Sequence, residues 1–132
     1  MSKLRKWETP FASASWPSVS ISVDHELRRA VIYVDAEQLW QIHFDFIAGV
    51  KVCDESYDDN TRFHIDRDVD GLCSYFWDDS PWLKQFNSEM AEVCEVGKLA
   101  HHVLLGGDYN IEILALGDAK FVPIERRADN GE

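Results

Sequence analysis

Hydrophobic and polar residues alternate strictly through "SVSISV" (18–23), which puts Val19, Ile21 and Val23 on one face of a strand. After the turn-forming "DHEL", "RRAVIYV" (28–34) reads as its hairpin partner, rich in β-branched residues. "LWQIHFDFIAGVKV" (39–52) keeps period two, with Trp40, Ile42, Phe44 and Phe46 on one side and Gln41, His43 and Asp45 on the other. Ala48-Gly49 marks a bulge or a change of direction within it. The acidic "CDESYDDN" (53–60) reads as a loop, and shorter strands are predicted at "TRFHI" (61–65) and "LCSYFW" (72–77). "LAHHVLL", "YNIEILAL" and "KFVPI" complete the pattern as three strands joined by GGD and GDA turns.

One stretch changes period. In "DDSPWLKQFNSEMAEVCEVG", Ser80 is placed to cap a helix, Pro81 to open it and Gly97 to stop it. Trp82, Phe86, Met90 and Val93 recur at helical spacing and Leu83 widens their stripe, so one amphipathic helix is predicted over 80–95. The strands follow one another without crossover helices, which favours antiparallel pairing. The expectation is an α+β domain over 18–125: a mainly antiparallel sheet of about seven or eight strands in one layer, with one principal helix packed on it. Residues 1–17 read as a loosely held arm from which Trp7, Phe11 and Trp16 can dock, and 126–132 as a flexible tail.

Composition agrees with a packed domain: 45% of the 132 residues are hydrophobic and 12% aromatic, which excludes a disordered chain. No apolar run approaches the roughly 20 residues that span a bilayer, so a soluble protein is expected. The N-terminus lacks the apolar stretch of a secretory signal. Cys53, Cys73 and Cys94 form no CxxC pair, which fits buried thiols in a reducing cytoplasm better than a disulfide framework or a thiolate zinc site. The net charge of −11 is uneven, because residues 31–80 hold twelve acidic side chains against three basic ones. Such a field repels nucleic acid and anionic membranes and speeds encounter with a basic protein; otherwise it serves solubility alone.

"LAHHVLLGGDYNIEILALG" (99–117) carries two histidines, an aspartate and a glutamate around a glycine turn. A Gly106-Gly107 loop sets His101 opposite Glu112, whereas a Gly107-Asp108 loop sets His102 opposite Ile113, so the register decides the pairing. Adjacent strand residues point to opposite faces, so His101 and His102 cannot share a metal; extra ligands would have to come from His43, His64 or Asp45. "DRDVDGL" (66–72) spaces Asp66, Asp68 and Asp70 before Gly71 like a calcium loop, but Trp77 stands where a bidentate Glu belongs and the flanks read as strands. An acidic β-turn fits better. The acidic residues suggest a partner surface of Asp54, Glu55, Asp58, Asp59, Asp66, Asp68, Asp70, Asp78 and Asp79, with Tyr57, Tyr75 and Trp77 as aromatic anchors. No GxSxG elbow and no glycine-rich phosphate loop are present, and no cofactor is expected.

The order of "WQIHFDFIAGVKVCDES", "DSPWLKQF" and "HHVLLGGDYNIEILA" resembles small bacterial proteins of the kind found as immunity proteins in polymorphic toxin systems. The resemblance spans residues 40 to 116 and implies a non-enzymatic binding domain, with no catalytic residues to carry over. The leading expectation is a cytoplasmic interaction protein that neutralises a basic partner. A metal-dependent or small-molecule enzyme using His101, Glu112 and His43 is the alternative, and a homo-oligomer pairing through edge strands is the third reading.

Overall fold

The first hairpin forms as its alternation dictates. β2 (Ser18–Asp24) and β3 (Arg29–Asp35) pair antiparallel with Ile21 opposite Ile32. Asp24 Oδ1 accepts the N–H groups of Glu26 and Leu27 across the turn, and Arg28 closes it at φ 53°. The computed structural model describes residues 4–14, 17–54, 72–90 and 99–125, with helical side chains as far as Phe86. Trp16, the strand expected at 61–65, the 66–71 turn, Met90's side chain, Val93, Cys94, Gly97 and the 126–132 tail lie outside the described residues.

The alternating stretch from 39 to 52 is two strands in two different sheets. β4 (Leu39–Phe44) pairs with β3 and with β9 (Lys120–Ile124). Past the exposed corner residue Asp45, β5 (Phe46–Asp54) pairs instead with β8 (Tyr109–Leu116). The β5–β8 register shifts between Ile47 and Gly49, so the expected bulge is present at Ala48. β1 (Arg5–Lys6), β6 (Ser74–Phe76) and β7 (Leu99–Leu105) complete a five-stranded sheet of order β1-β6-β7-β8-β5, beside a four-stranded sheet of order β2-β3-β4-β9. All described pairings are antiparallel.

This corrects the expected α+β class. The protein is a mostly antiparallel β structure of two stacked sheets, and its one described helix, α1 (Pro81–Met90), is a ten-residue element on an outer face. The reason is physical: alternation says which side of a strand is buried, not which sheet the strand joins. Ile32, Val34, Ile42 and Phe44 of one sheet share a core with Leu104, Ile111 and Ile113 of the other. β2 alternates between buried and exposed because its outer face meets water. β7 and β8 are buried on both faces, which explains their nearly continuous apolar runs.

The N-terminal stretch read as a loose arm contributes to that core. Trp7 and Phe11 are 6% and 3% exposed, so both docked as their aromatic character suggested. Ser74 Oγ donates to the Trp7 carbonyl, and the Cys73 N–H donates to the Ala12 carbonyl. Cys73 is a buried thiol whose Sγ donates to the Phe11 carbonyl, and Cys53 is a half-buried one. The start of α1 is as expected: Ser80 Oγ accepts the Leu83 N–H at 3.0 Å with Pro81 in the first turn. Leu83 packs on Leu99 and Leu114, while Trp82 lies so close to β5 that a Cβ on Gly49 would fall 2.6 Å from its ring. No described helix is long and apolar enough to cross a membrane.

Candidate functional site

The turn of the β7–β8 hairpin is Gly107-Asp108, closed by the Gly106 N–H donating to the Tyr109 carbonyl at 2.9 Å. Its cause lies in the other sheet. Asp108 accepts the Ser18 hydroxyl and the Val19 N–H, and the Gly107 N–H donates to the Pro17 carbonyl. Gly106 must be glycine here, since a Cβ would meet the Tyr109 carbonyl oxygen at 2.5 Å and Val19 at 2.8 Å. Burial pushes the Asp108 carboxyl up, but the hydrogen bonds from Ser18, Val19 and Tyr109 outweigh it and hold the group below its usual range.

In this register His101 stands opposite Leu114 and Glu112 opposite Val103, yet the histidine and the glutamate still meet. They are diagonal neighbours on one face, and His101 Nε2 lies 2.8 Å from Glu112 Oε1. The reading that made the pair depend on direct opposition is thus corrected: long side chains reach across the diagonal. On its other side, His101 Nδ1 is 2.6 Å from Ser80 Oγ. With Nε2–H donated to the carboxylate, the Ser80 hydroxyl donates to Nδ1 while its oxygen accepts the Leu83 N–H. A directed chain therefore runs from the first turn of α1 to β8.

Ser, His and Glu in hydrogen-bonded series have the composition of a hydrolytic triad. Their surroundings define a different role. Ser80, His101 and Glu112 are 0%, 2% and 3% exposed, Trp77 and Trp82 pack on the imidazole, and Ser80 Oγ is committed to the helix cap. Both ring nitrogens of His101 are engaged, which leaves neither for a metal. His43 is on the outer face of the other sheet, bonded to Gln41, so the sandwich separates it from His101 and Glu112. The constellation of His43, His101 and Glu112 does not assemble. Among the described residues no three His, Cys, Asp or Glu side chains are grouped to hold a metal.

His102 faces the opposite way, into the core between the sheets. Trp7, Phe44 and Phe76 surround it with ring centroids 4.8, 5.0 and 5.1 Å away. Nδ1–H donates to the Ile113 carbonyl at 3.4 Å, a long bond. Burial lowers its pKa from 6.5 to about 4, helped by the neighbouring His101 and opposed by the bond to Ile113. It is a neutral core side chain at pH 7.

The acidic partner surface is only partly within the described residues: Glu55, Tyr57, Asp58, Asp59, Asp66, Asp68 and Asp70 lie outside them. Tyr75 and Trp77 are 4% and 7% exposed, packed with Val103 and Leu105, so burial removes both as contact anchors. Asp54 ends β5 beside Tyr109, whereas Asp78 and Asp79 follow β6 at the opposite corner of the sheet. Asp78 is held by Arg5 at 2.7 and 3.0 Å, and this bond, opposed by burial and aided by charge attraction to Arg5, keeps its carboxyl below the usual range.

The fold brings Asp54 and Asp108 to one end together with acids that the sequence reading had not grouped with them. Asp35 at the end of β3, Glu37 in the β3–β4 connection, Asp54, Asp108 and Glu125 all sit at the end of the sandwich where Ser18 meets both Asp35 and Asp108. Arg5, Arg28, Arg29 and Lys120 lie at the other end, and Lys51 stands three residues before Asp54 in β5. A recess of about 620 Å³ opens there, lined by Asp35, Glu37, Gln38, Trp40, Phe11 and Pro17. These acids run from position 35 to position 125, and of them only Asp54 belongs to the acidic run at 53–60.

Fold and site together define a two-sheet antiparallel β domain in which His101 joins helix to sheet, His102 is buried in the core, and several acids of the described residues gather at one end. No protein-family model, no curated protein and no solved structure matches the chain.

Proposed function

We propose that this protein is a non-enzymatic interaction domain that captures a basic protein partner and occludes its working surface, the role implied by the resemblance to toxin-neutralising immunity proteins. The observation that carries this reading is the acidic end of the sandwich. Asp35, Glu37, Asp54 and Glu125 are exposed there, and the recess beside Asp35 and Glu37 offers Trp40 as one wall. A lysine or arginine side chain suits such a place, with its apolar stem on the indole and its charge between carboxylates. The overall charge of −11 would steer the encounter. The groups able to do chemistry, Ser80, His101 and Glu112, are committed to holding α1 on the sheet.

The test compares two variants of equal charge change. One replaces Asp35, Glu37, Asp54 and Glu125 by Asn or Gln; the other treats Asp24, Glu26, Asp45 and Asp118 at the opposite end in the same way. Association with a short oligo-arginine peptide is followed by stopped flow at low and physiological salt. The first variant should associate about tenfold more slowly and lose most of its salt dependence, the second much less. Equal slowing in both would mean that net charge alone acts, and the acidic-end reading would fail.

A further inference from the structure

At the opposite end of the sandwich the bulge in β5 and the tip of the β2–β3 hairpin enclose a second recess of about 680 Å³. Its described walls are Val23, Phe46, Val50, Phe86 and Leu99 with Ile47, Ala48 and Gly49. The volume is within the roughly 300–1,000 Å³ of small-molecule sites. The polar side chains that line it are those of His25 and Arg28, both from the hairpin tip.

Arg28 is held there against its own preference. It is the one non-glycine residue with positive φ among the described residues, at 53°, a conformation disfavoured for a side chain with a Cβ. The Ile47 N–H donates to the Arg28 carbonyl at 2.9 Å, which fastens the hairpin tip to β5 at the start of the bulge. The guanidinium lies over the Phe46 ring, 5.4 Å from its centroid. Unlike Arg5, Lys6 and Lys120, it makes no ion pair among the described residues. A cation without a carboxylate partner among the described residues stands at the mouth of an apolar recess.

We infer that this recess binds a small amphipathic monocarboxylate, with the alkyl or aryl body between Phe46, Val50, Phe86 and Leu99 and the carboxylate on the Arg28 fork. The bulge is what makes room: it turns the β5 backbone aside just where the hydrocarbon would lie. The guanidinium supplies the specificity, since a planar fork matches a carboxylate in two parallel hydrogen bonds. The site is independent of the acidic end, so either can fail alone.

Decanoate is the probe, with 1-decanol and decylamine as partners of the same chain length and different head, each kept below its aggregation threshold. Isothermal titration of the full chain should give one saturable site for decanoate, about tenfold tighter than for decanol, and the weakest binding for the amine. Arg28→Gly is the informative variant. Glycine adopts φ 53° freely, so the thermal midpoint should hold or rise while the preference for the acid over the alcohol disappears. Arg28→Lys should keep part of that preference. Ala48→Trp, which fills the recess, should remove binding of all three probes. Decanoate that fails to bind, binds at more than one site per chain, or binds Arg28→Gly as tightly as the unmodified protein overturns the assignment.

Discussion

His101 and His102 are neighbours on one strand and are equally hidden, yet their surroundings are opposites. His101 has a partner on each ring nitrogen, Ser80 and Glu112, and joins helix to sheet. His102 has three aromatic rings and one long bond to a carbonyl. The pleat of β7 makes this difference, because it sends alternate side chains to the two faces of the sheet. The outer face is closed by the helix cap and so contains polar groups to satisfy. The inner face is closed by the second sheet and the N-terminal stretch, which are aromatic and aliphatic. Burial by itself therefore says little about a histidine; what closes the face decides whether the ring becomes a link or a neutral core residue.

The largest break in this comparison should come from Trp7→Ala. It removes the ring nearest His102, which also lies 5.5 Å from Phe76 and 5.8 Å from Phe121. Urea unfolding at pH 7 should show a loss of about 3–5 kcal/mol, and NMR titration should show the His102 pKa rising from about 4 toward 6.5 as water reaches the ring. A loss below about 1 kcal/mol would mean that the N-terminal stretch is not an integral part of the core.

Next in size is the pH dependence carried by His102. Its folded pKa is about 4 against 6.5 for the free side chain, so between those values the unfolded chain binds the proton more readily. This contribution is complete above pH 6.5 and is lost as pH falls toward 4, about 3 kcal/mol over the window. His102→Phe puts a fourth apolar ring among the others and should flatten that part of the profile. Parallel profiles for the two proteins would show that His102 does not titrate in that range.

The smallest effect sharpens the other side. Ser80→Ala should cost about 1–2 kcal/mol by removing the helix cap and a partner of His101. Ser80→Gly retains most of the capping preference but not the hydroxyl, so equal losses in both variants would assign the cost to the bond with His101. If the glycine variant is nearly neutral, the cost belongs to the cap.

Much of this was legible along the chain. The strand faces at 18–23 and 28–34, the bulge at Ala48 and the Ser80-Pro81 helix start depend on contacts within a few residues, and propensity and periodicity report such contacts. The three last strands were legible for the same reason. Other features have no local signature. The transfer of the chain from one sheet to the other at Asp45 leaves the alternation intact on both sides, so a two-sheet structure read as a single layer. Tyr75 and Trp77 looked like surface anchors because acidic residues flank them, and only their packing with Val103 and Leu105 shows that they are covered.

By itself the sequence determined the alternating strands, the helix start, the negative charge and the opposite orientations of His101 and His102. Only the tertiary structure decided the hairpin register, the Ser80–His101–Glu112 link and the gathering of acids at one end. Those three depend on groups far apart in the chain meeting at a single place, as when Ser18 and Val19 fix the turn at Asp108. Local periodicity carries direction without position, and position is settled when the two sheets close on each other.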